Sequence, residues 1–233
     1  MQQSERSRIL GEMPMRKLVP KVGLPIMVSM IVQALYNVVD SIFVARYNPN
    51  ALTAVSLAYP VQMLMIALSV GMGVGVSSLL SRKLGAGQRT EARRTAWNGL
   101  MIEAAGSLLF MIVGVFFAPA LLHMLVSDNL QNADSIRDMG ATYLSIVTTF
   151  SQGVFMAVLF ERMLQATGNT VNSMLTQLAG AVTNIILDPI MIFGLLGFPS
   201  LGIAGAAVAT VTGQFVSAGI GFALNQKRIR SCA

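Results

Sequence analysis

Six long apolar stretches restrict the folds that this sequence can adopt more than any other feature. Each is roughly 20 residues or longer, which is enough for a helix to cross the hydrocarbon core of a bilayer. Runs such as Ala104–Ala118 lack the alternation that a transmembrane strand requires. We therefore predict an all-α, polytopic membrane protein built as a bundle of six transmembrane helices. The stretches are Leu18–Ala45, Leu52–Leu80, Thr95–Leu125, Ala141–Leu164, Ser173–Leu196 and Gly202–Leu224.

The composition excludes most soluble classes of protein. Of the 233 residues, 54% are hydrophobic and only 11% are charged, whereas about 25% are charged in an ordinary soluble domain. Cys232 is the single cysteine, so the chain cannot form an internal disulfide. We predict a basic cytoplasmic tail at 1–17, the six-helix bundle at 18–225 and a short basic cytoplasmic tail at 226–233.

The distribution of lysine and arginine predicts the orientation of the bundle. Fourteen of the 16 basic residues fall in tails and loops on one side of the predicted spans, and only Arg46 and Arg137 fall on the other. Basic residues accumulate in cytoplasmic loops, so both termini are expected in the cytoplasm and the protein in the cell membrane. The net charge of +6 then reflects topology, and we expect no nucleic-acid partner.

Two acids inside the apolar stretches are the strongest indication of a functional site. A carboxylate in a bilayer costs about 2.5–3.5 kcal/mol on insertion scales, so it requires a partner or a ligand. Asp40 follows Gln33, Tyr36 and Asn37 by seven, four and three residues, which places all four on one helical face. We expect this face to line the bundle interior or a water-filled cavity.

The fifth stretch carries a matching polar face. Asp188 follows Asn184 by four residues, and Gln177 continues the same face toward the start of the helix. Pro189 comes next and is expected to distort the helix and free backbone carbonyls. Both Asp40 and Asp188 are predicted to lie within about 15 Å of the external boundary. Two acids at matched depth could therefore share one site.

Other acids in the apolar stretches favour structural roles. We expect Glu103 to reach back toward Arg93 or Arg94, and Glu161 to form an interfacial salt bridge with Arg162. Tyr47, Tyr59, Tyr143 and Trp97 fall near predicted span ends, where amphipathic rings are common.

Small residues predict close helix packing. Gly71 and Gly75 form a GxxxG pair in the second stretch, and Gly205, Ala209 and Gly213 form a ridge along the sixth. No nucleophile, metal cluster or nucleotide motif is present in the sequence. A carrier therefore fits better than an enzyme.

Four segments resemble the multidrug and toxic compound extrusion (MATE) transporters. They are QALYNVVDSIFVAR at Gln33–Arg46, RMLQATGNT at Arg162–Thr170, NIILDPIMIFG at Asn184–Gly194 and GIAGAAVATVTGQ at Gly202–Gln214. The resemblance implies a secondary antiporter that exports organic cations and drugs in exchange for H⁺ or Na⁺, with no other cofactor.

The resemblance also implies roles for individual residues. Asp40 and Asp188 would be the acids that bind the coupling ion, helped by Asn184, Tyr36 and Thr210. Gln33 would lie in the substrate cavity, to which the polar faces add Asn37 and Gln177. Pro25, which predicts a kink from the sequence alone, matches the proline at which helix one bends during transport.

Members of this family have twelve spans in two six-helix bundles, and this sequence matches the first bundle. The chain is then expected to be one half of a longer transporter, or to pair with a second copy or another half-protein. The alternatives are a non-transporting fragment or half-subunit, and a flippase for lipid-linked oligosaccharides. The acidic interior favours cationic substrates over those of a flippase, and a membrane enzyme ranks last.

Overall fold

The computed structural model describes residues 14–127 and 132–230, and helices account for nearly all of this part of the chain. No strand occurs within these residues, so the prediction of an all-α fold is confirmed. The helices are α1 (Met15–Tyr47), α2 (Pro49–Gly85), α3 (Arg89–Leu125), α4 (Ala133–Thr149), α5 (Gln152–Ala166), α6 (Thr170–Phe193) and α7 (Ile203–Arg230), with a 3₁₀ turn at Leu195–Gly197.

The connections between helices gather at two ends of the bundle. The Asn48 end carries the α1–α2 turn at Asn48 and the α6–α7 connection at 194–202. The Gly87 end carries the α2–α3 turn around Gly87 and the α5–α6 turn around Gly168. Gly87 and Gly168 have φ angles of 72° and 71°, which only glycine adopts without strain, so both turns can be tight.

The fourth predicted span is broken rather than continuous. It begins at Ala133, and α4 and α5 meet at a bend of 48° around Phe150 and Ser151. The hydroxyl of Thr148 donates to the carbonyl oxygen of Leu144 on its own helix, a bond that often bends helices. The hydroxyl of Ser151 instead donates to the carbonyl oxygen of Ser107 on α3, at 2.9 Å. The predicted stretch Ala141–Leu164 is therefore a candidate span made of two helices rather than one.

Glycines let α6 and α7 pack at backbone contact. A Cβ added to Gly213 would lie 2.7 Å from the carbonyl oxygen of Gly180, and one added to Gly180 would lie 2.8 Å from that of Gly213. Gly205 packs in the same way against the backbone of Met191. The small-residue ridge predicted for the last helix is confirmed. Without side chains between them, polar groups on α6 and α7 come within reach of each other.

The outer surface of the bundle is apolar enough for a membrane. Within residues 14–127 and 132–230, five helices are long and apolar enough to span a bilayer, and α4 with α5 would make a sixth span. Large apolar side chains such as Met30 on α1 and Phe116 on α3 are about 70% exposed. Such side chains can face lipid or another apolar protein surface.

Candidate functional site

Two acids from distant parts of the sequence meet inside the bundle. Asp40 lies on α1 and Asp188 on α6, and these helices pack against each other. Their carboxyl groups come within hydrogen-bonding range of one another. Asp188 is 0% exposed, and Asp40 is partly buried. The structure thus brings together the two acids that the sequence places at matched depth.

The acid pair lies close to the Asn48 end. Asp40 precedes the end of α1 at Tyr47 by seven residues, and Asp188 precedes the end of α6 at Phe193 by five. At 1.5 Å per residue these are distances of about 10 and 8 Å. Pro189 has no N–H, so the carbonyl of Ile185, three residues before Asp188 on α6, loses its partner within the helix. The helix is therefore interrupted on the segment that carries Asp188.

Asn184 links the acid pair to α7. Its side-chain Nδ2 donates to Oδ1 of Asp188 at 3.2 Å and approaches Oγ1 of Thr210 at 3.4 Å. Asn184 and Thr210 are both buried. The glycine contact between α6 and α7 allows this approach, because a larger side chain at Gly213 would collide with the backbone of α6. Thr210 is thus placed beside Asn184, as the family resemblance implied.

Three oxygen atoms at the site are buried without a hydrogen-bond donor among the described residues. They are Oδ1 of Asp40, Oδ2 of Asp188 and Oδ1 of Asn184. Buried polar atoms normally have partners, since leaving one unpaired costs about 1–3 kcal/mol. Carboxylate and amide oxygens are ligands for hard cations, and a carboxyl pair can also hold a proton. The arrangement is suited to binding one small positive charge.

Two tyrosines surround the acid pair. Tyr36, one turn after Gln33 on α1, lies within electrostatic range of Asp40 and Asp188. Tyr143 is almost fully buried near Gln62 of α2 and lies within electrostatic range of the same two acids. The prediction of an interfacial ring at Tyr143 was therefore wrong. No local pattern marks Tyr143 or Gln62 as site residues, because their partners come from other helices.

A second contact between α1 and α6 lies deeper in the bundle. Nε2 of Gln177 donates to Oε1 of Gln33 at 2.6 Å. Asn37, on the neighbouring part of α1, has an exposed side chain. Pro25 is buried within α1, and its carbonyl oxygen accepts a hydrogen bond from Ser29 Oγ at 3.0 Å. The amides of Gln33 and Gln177 thus extend the polar surface that leads away from the acids.

Comparison with known proteins agrees with this architecture. The model of the MatE family matches residues 25–190, which include both acids of the pair. The chain belongs to the MatE family. A probable multidrug resistance protein NorM from Thermotoga maritima is 32% identical over 217 residues, covering 88% of this chain. The multidrug export protein MepA from Staphylococcus aureus is 26% identical over 206 residues.

Solved structures of MATE transporters share the fold of this MatE family chain. An outward-facing multidrug resistance MATE family transporter of the MOP superfamily gives a TM-score of 0.78 at 30% identity, covering 91% of this chain and 45% of its own. A MATE in the straight conformation gives 0.80. This chain covers 43% of the NorM relative and 44% of MepA. It therefore spans less than half the length of these relatives.

The GxxxG prediction on α2 of this MatE family chain was wrong. A Cβ at Gly71 or Gly75 would meet nothing within 4 Å. Gly73, between them, is the packed glycine, and a Cβ there would lie 3.0 Å from Cγ of Arg162 and 3.6 Å from Oε1 of Glu103. The GxxxG spacing identified a surface of small residues but selected the wrong face of the helix.

Glu103 and Glu161 also have partners other than those predicted. Glu103 is 0% exposed and accepts a hydrogen bond from Ser69 Oγ at 3.2 Å, so it does not reach back toward the first turns of α3. Gln165 stands between the predicted pair at the Gly87 end. Its Oε1 accepts from Arg162 at 2.9 Å, and its Nε2 donates to Glu161 at 3.0 Å. A neutral amide thus replaces the expected salt bridge.

Proposed function

We propose that this chain binds the coupling ion of a MatE family efflux transporter, which exchanges H⁺ or Na⁺ for small organic cations. The observation that carries the proposal is the contact between Asp40 and Asp188, with three buried oxygens that lack donors. Ionisable groups inside membrane spans most often mark ion pathways. The names of the relatives, multidrug resistance and multidrug export proteins, support efflux as the overall activity.

Either ion would satisfy the acid pair through the same atoms. A proton could be shared between the two carboxyl groups, and Na⁺ could be held by Oδ1 of Asp40, Oδ2 of Asp188 and Oδ1 of Asn184. In both cases one positive charge offsets the cost of keeping two carboxylates near each other. Moving one charge down a potential of 100 mV supplies about 2.3 kcal/mol, which is enough for a concentration ratio of tens.

The charges within the spans support cationic substrates. Within the predicted apolar stretches, four acids are buried or half-buried, namely Asp40, Glu103, Glu161 and Asp188, and Arg162 is the half-buried basic residue. Arg137, whose side chain is 12% exposed, lies outside these stretches, near the start of α4. A cavity with an acidic wall attracts organic cations and repels the phosphate of a lipid-linked sugar. Gln33, Gln177 and the exposed Asn37 would supply polar contacts along α1 and α6.

Helix α1 is the element that ion binding would move. It is held to α6 by the acid pair and by the amide contact between Gln33 and Gln177. Pro25 interrupts its hydrogen-bond ladder, because the carbonyl of Lys21 lacks the usual donor. Occupation of the acid pair would change the attraction between the helices, and α1 would bend near Pro25 to release the substrate.

The complete transporter would include a second six-helix bundle. The chain spans less than half the length of its relatives, and apolar side chains along α1 are exposed. A second copy or a separate half-protein could cover part of this surface, and lipid of the cell membrane would cover the remainder. Both termini would face the cytoplasm, because basic residues concentrate at the Gly87 end.

Ion binding can be tested on the full chain without a transport assay. A ligand that binds only the folded state stabilises it by about 2.7 kcal/mol at a hundred times its dissociation constant. We expect Na⁺ or acidic pH to raise the unfolding temperature of the purified protein in lipid nanodiscs. Asp40→Asn and Asp188→Asn should each abolish this rise, whereas Asp138→Asn, an exposed acid at the Asn48 end, should retain it.

The transport step requires a second measurement. Vesicles that contain the chain and a fluorescent organic cation are given either a pH gradient or a Na⁺ gradient. Efflux that responds to one gradient and disappears in Asp188→Asn would identify the coupling ion. Ion-dependent stabilisation that is unchanged in both acid variants would overturn the site assignment. Efflux without any ion gradient dependence would overturn antiport.

A further inference from the structure

Glu103 is a buried acid that the proposed ion site does not use. It lies on α3 and is 0% exposed. Ser69 Oγ donates to its Oε2 at 3.2 Å, while Oε1 is buried without a donor among the described residues. One neutral hydroxyl offsets little of the cost of burying a carboxylate. Glu103 therefore needs a proton or a counter-ion.

The counter-ion within reach is Arg162 on α5. Its Cγ and Oε1 of Glu103 both lie against Gly73, at 3.0 and 3.6 Å from the position that a Cβ would occupy there. Nε of Arg162 is also buried without an acceptor among the described residues. The guanidinium is instead directed to Gln165, which it contacts through Nη1 at 2.9 Å. Glu103 and Arg162 thus both lie against Gly73, but their charged groups are not hydrogen-bonded to each other.

Among the residues that the structure describes, Arg162 is the ionisable side chain that lies with Glu103 against Gly73, while Glu161, next to it on α5, bonds Gln165 instead. Helix α2 contributes Ser69 and Gly73, which do not titrate. Glu103 lies on the segment of α3 between Gly99 and Ser107. This segment packs beside α5, because Gly99 lies against Leu159 and Ser107 accepts a hydrogen bond from Ser151 at the start of α5. The ionisable side chains of α4 are Asp134, Arg137, Asp138 and Tyr143, which lie in its first eleven residues, toward the Asn48 end.

We propose that Glu103 is a second proton-binding carboxyl of the bundle, separate from the Asp40–Asp188 pair, with Arg162 as its counter-ion when it is ionised. The hydrogen bond from Arg162 to Gln165 that the structure shows is assigned to the state in which Glu103 is protonated. Loss of the proton draws the guanidinium past Gly73 to Oε1 of Glu103. This proposal goes beyond the proposed function, because it does not depend on which ion the acid pair binds.

The switch would affect the packing of α6. Gln165 also donates from Nε2 to Oγ of Ser173, a buried residue in the first turn of α6, at 3.0 Å. When Arg162 leaves Gln165, the amide is free to turn, and this link between α5 and α6 weakens. Because α6 carries Asp188 toward its other end, this helix connects the Glu103–Arg162 region with the acid pair.

Infrared spectroscopy tests the proposal directly, since a protonated carboxyl has a C=O stretch that a carboxylate lacks. The full chain in lipid is titrated in the Asp40→Asn/Asp188→Asn background, which removes the other pair. We expect a band that disappears at alkaline pH. Adding Glu103→Gln should abolish the band, and adding Glu161→Gln should leave it. A band that is unchanged by Glu103→Gln would overturn the proposal.

Two further arms examine the ligand and the counter-ion. Addition of Na⁺ at fixed pH should leave the band intact, and a loss caused by Na⁺ would overturn the assignment to a proton. Arg162→Gln should keep the band at alkaline pH, where the parent has lost it, and an unchanged pH range would overturn the role of Arg162.

If Glu103→Gln does not fold, ¹³C labelling of glutamate carboxyls in the unaltered chain must shift the band, and an unshifted band refutes the assignment.

Discussion

Gln33 and Gln177 join α1 to α6 through a hydrogen bond of 2.6 Å, although they are 144 residues apart in sequence. The acids Asp40 and Asp188 join the same helices seven residues further along α1, which is about 10 Å away. Helix α1 is therefore attached to α6 at two levels. Of these two levels, the one nearer the Asn48 end contains groups that can gain or lose a charge.

The hydrogen bond between Gln33 and Gln177 should hold α1 against α6 whether or not an ion is bound. We expect Gln33→Leu and Gln177→Leu each to lower the free energy of unfolding, since each leaves the other amide buried without its partner. A double-mutant cycle should give a coupling of about 0.6 kcal/mol, the average for hydrogen bonds between membrane helices. The measurement is reversible unfolding in mixed micelles.

A second double-mutant cycle provides the control for the Gln33–Gln177 hydrogen bond. Gln33→Leu combined with Thr183→Val should show no coupling, because Thr183 donates only to Ala179 O of its own helix. Equal couplings in the two cycles would mean that the Gln33–Gln177 bond does not contribute to stability.

Asn184 should affect Na⁺ binding through its side-chain oxygen rather than through the fold. Replacement by leucine removes the buried Oδ1 of Asn184, one of the three oxygens proposed to hold Na⁺. We therefore expect the affinity for Na⁺ to fall by ten-fold or more, which corresponds to about 1.4 kcal/mol. Thr183→Val, one residue earlier on α6, should leave the affinity unchanged. Ion-dependent thermal stabilisation measures both, and equal affinities would contradict this role.

The acid pair could be predicted from the sequence because charge inside an apolar stretch is costly and therefore conspicuous. Helical spacing then placed Gln33, Tyr36 and Asp40 on one face, and the distance of each acid from its span end gave the depth. These inferences need only the geometry of a single helix. They located the two polar faces that the structure brings into contact.

Interhelical partners could not be predicted in this way. Tyr143 lies within electrostatic range of the acid pair because of where α4 packs in the bundle, and an aromatic residue near a span end has the same local pattern in an interfacial role. Gly71, Gly73 and Gly75 are equivalent in sequence, and only the position of Arg162 on α5 shows which of them is packed. The break at Phe150 contains neither proline nor glycine, and it depends on the contact of Ser151 with α3.

The break between α4 and α5 should depend on that contact. Ser151→Ala removes the side-chain hydroxyl that bonds the carbonyl oxygen of Ser107 at a buried position. We expect a loss of about 1 kcal/mol in the free energy of unfolding. Ser77→Ala, in which an exposed hydroxyl bonds its own helix, should change stability by less than about 0.5 kcal/mol. Equal losses in the two variants would show that the Ser107 contact does not stabilise the bend.

Replacement of a glycine of α7 by alanine should destabilise the protein at Gly213 and stabilise it at Gly219. Gly213→Ala places a Cβ 2.7 Å from the carbonyl oxygen of Gly180, so α6 and α7 must separate, at a cost of about 1–3 kcal/mol. Gly219→Ala meets nothing within 4 Å and should stabilise the helix by up to about 1 kcal/mol. Unfolding temperatures in lipid nanodiscs measure both. The separation would also draw Thr210 away from Asn184, so Gly213→Ala should weaken ion binding while Gly219→Ala retains it. A Gly213→Ala protein as stable as the parent would show that α6 and α7 do not pack at backbone contact.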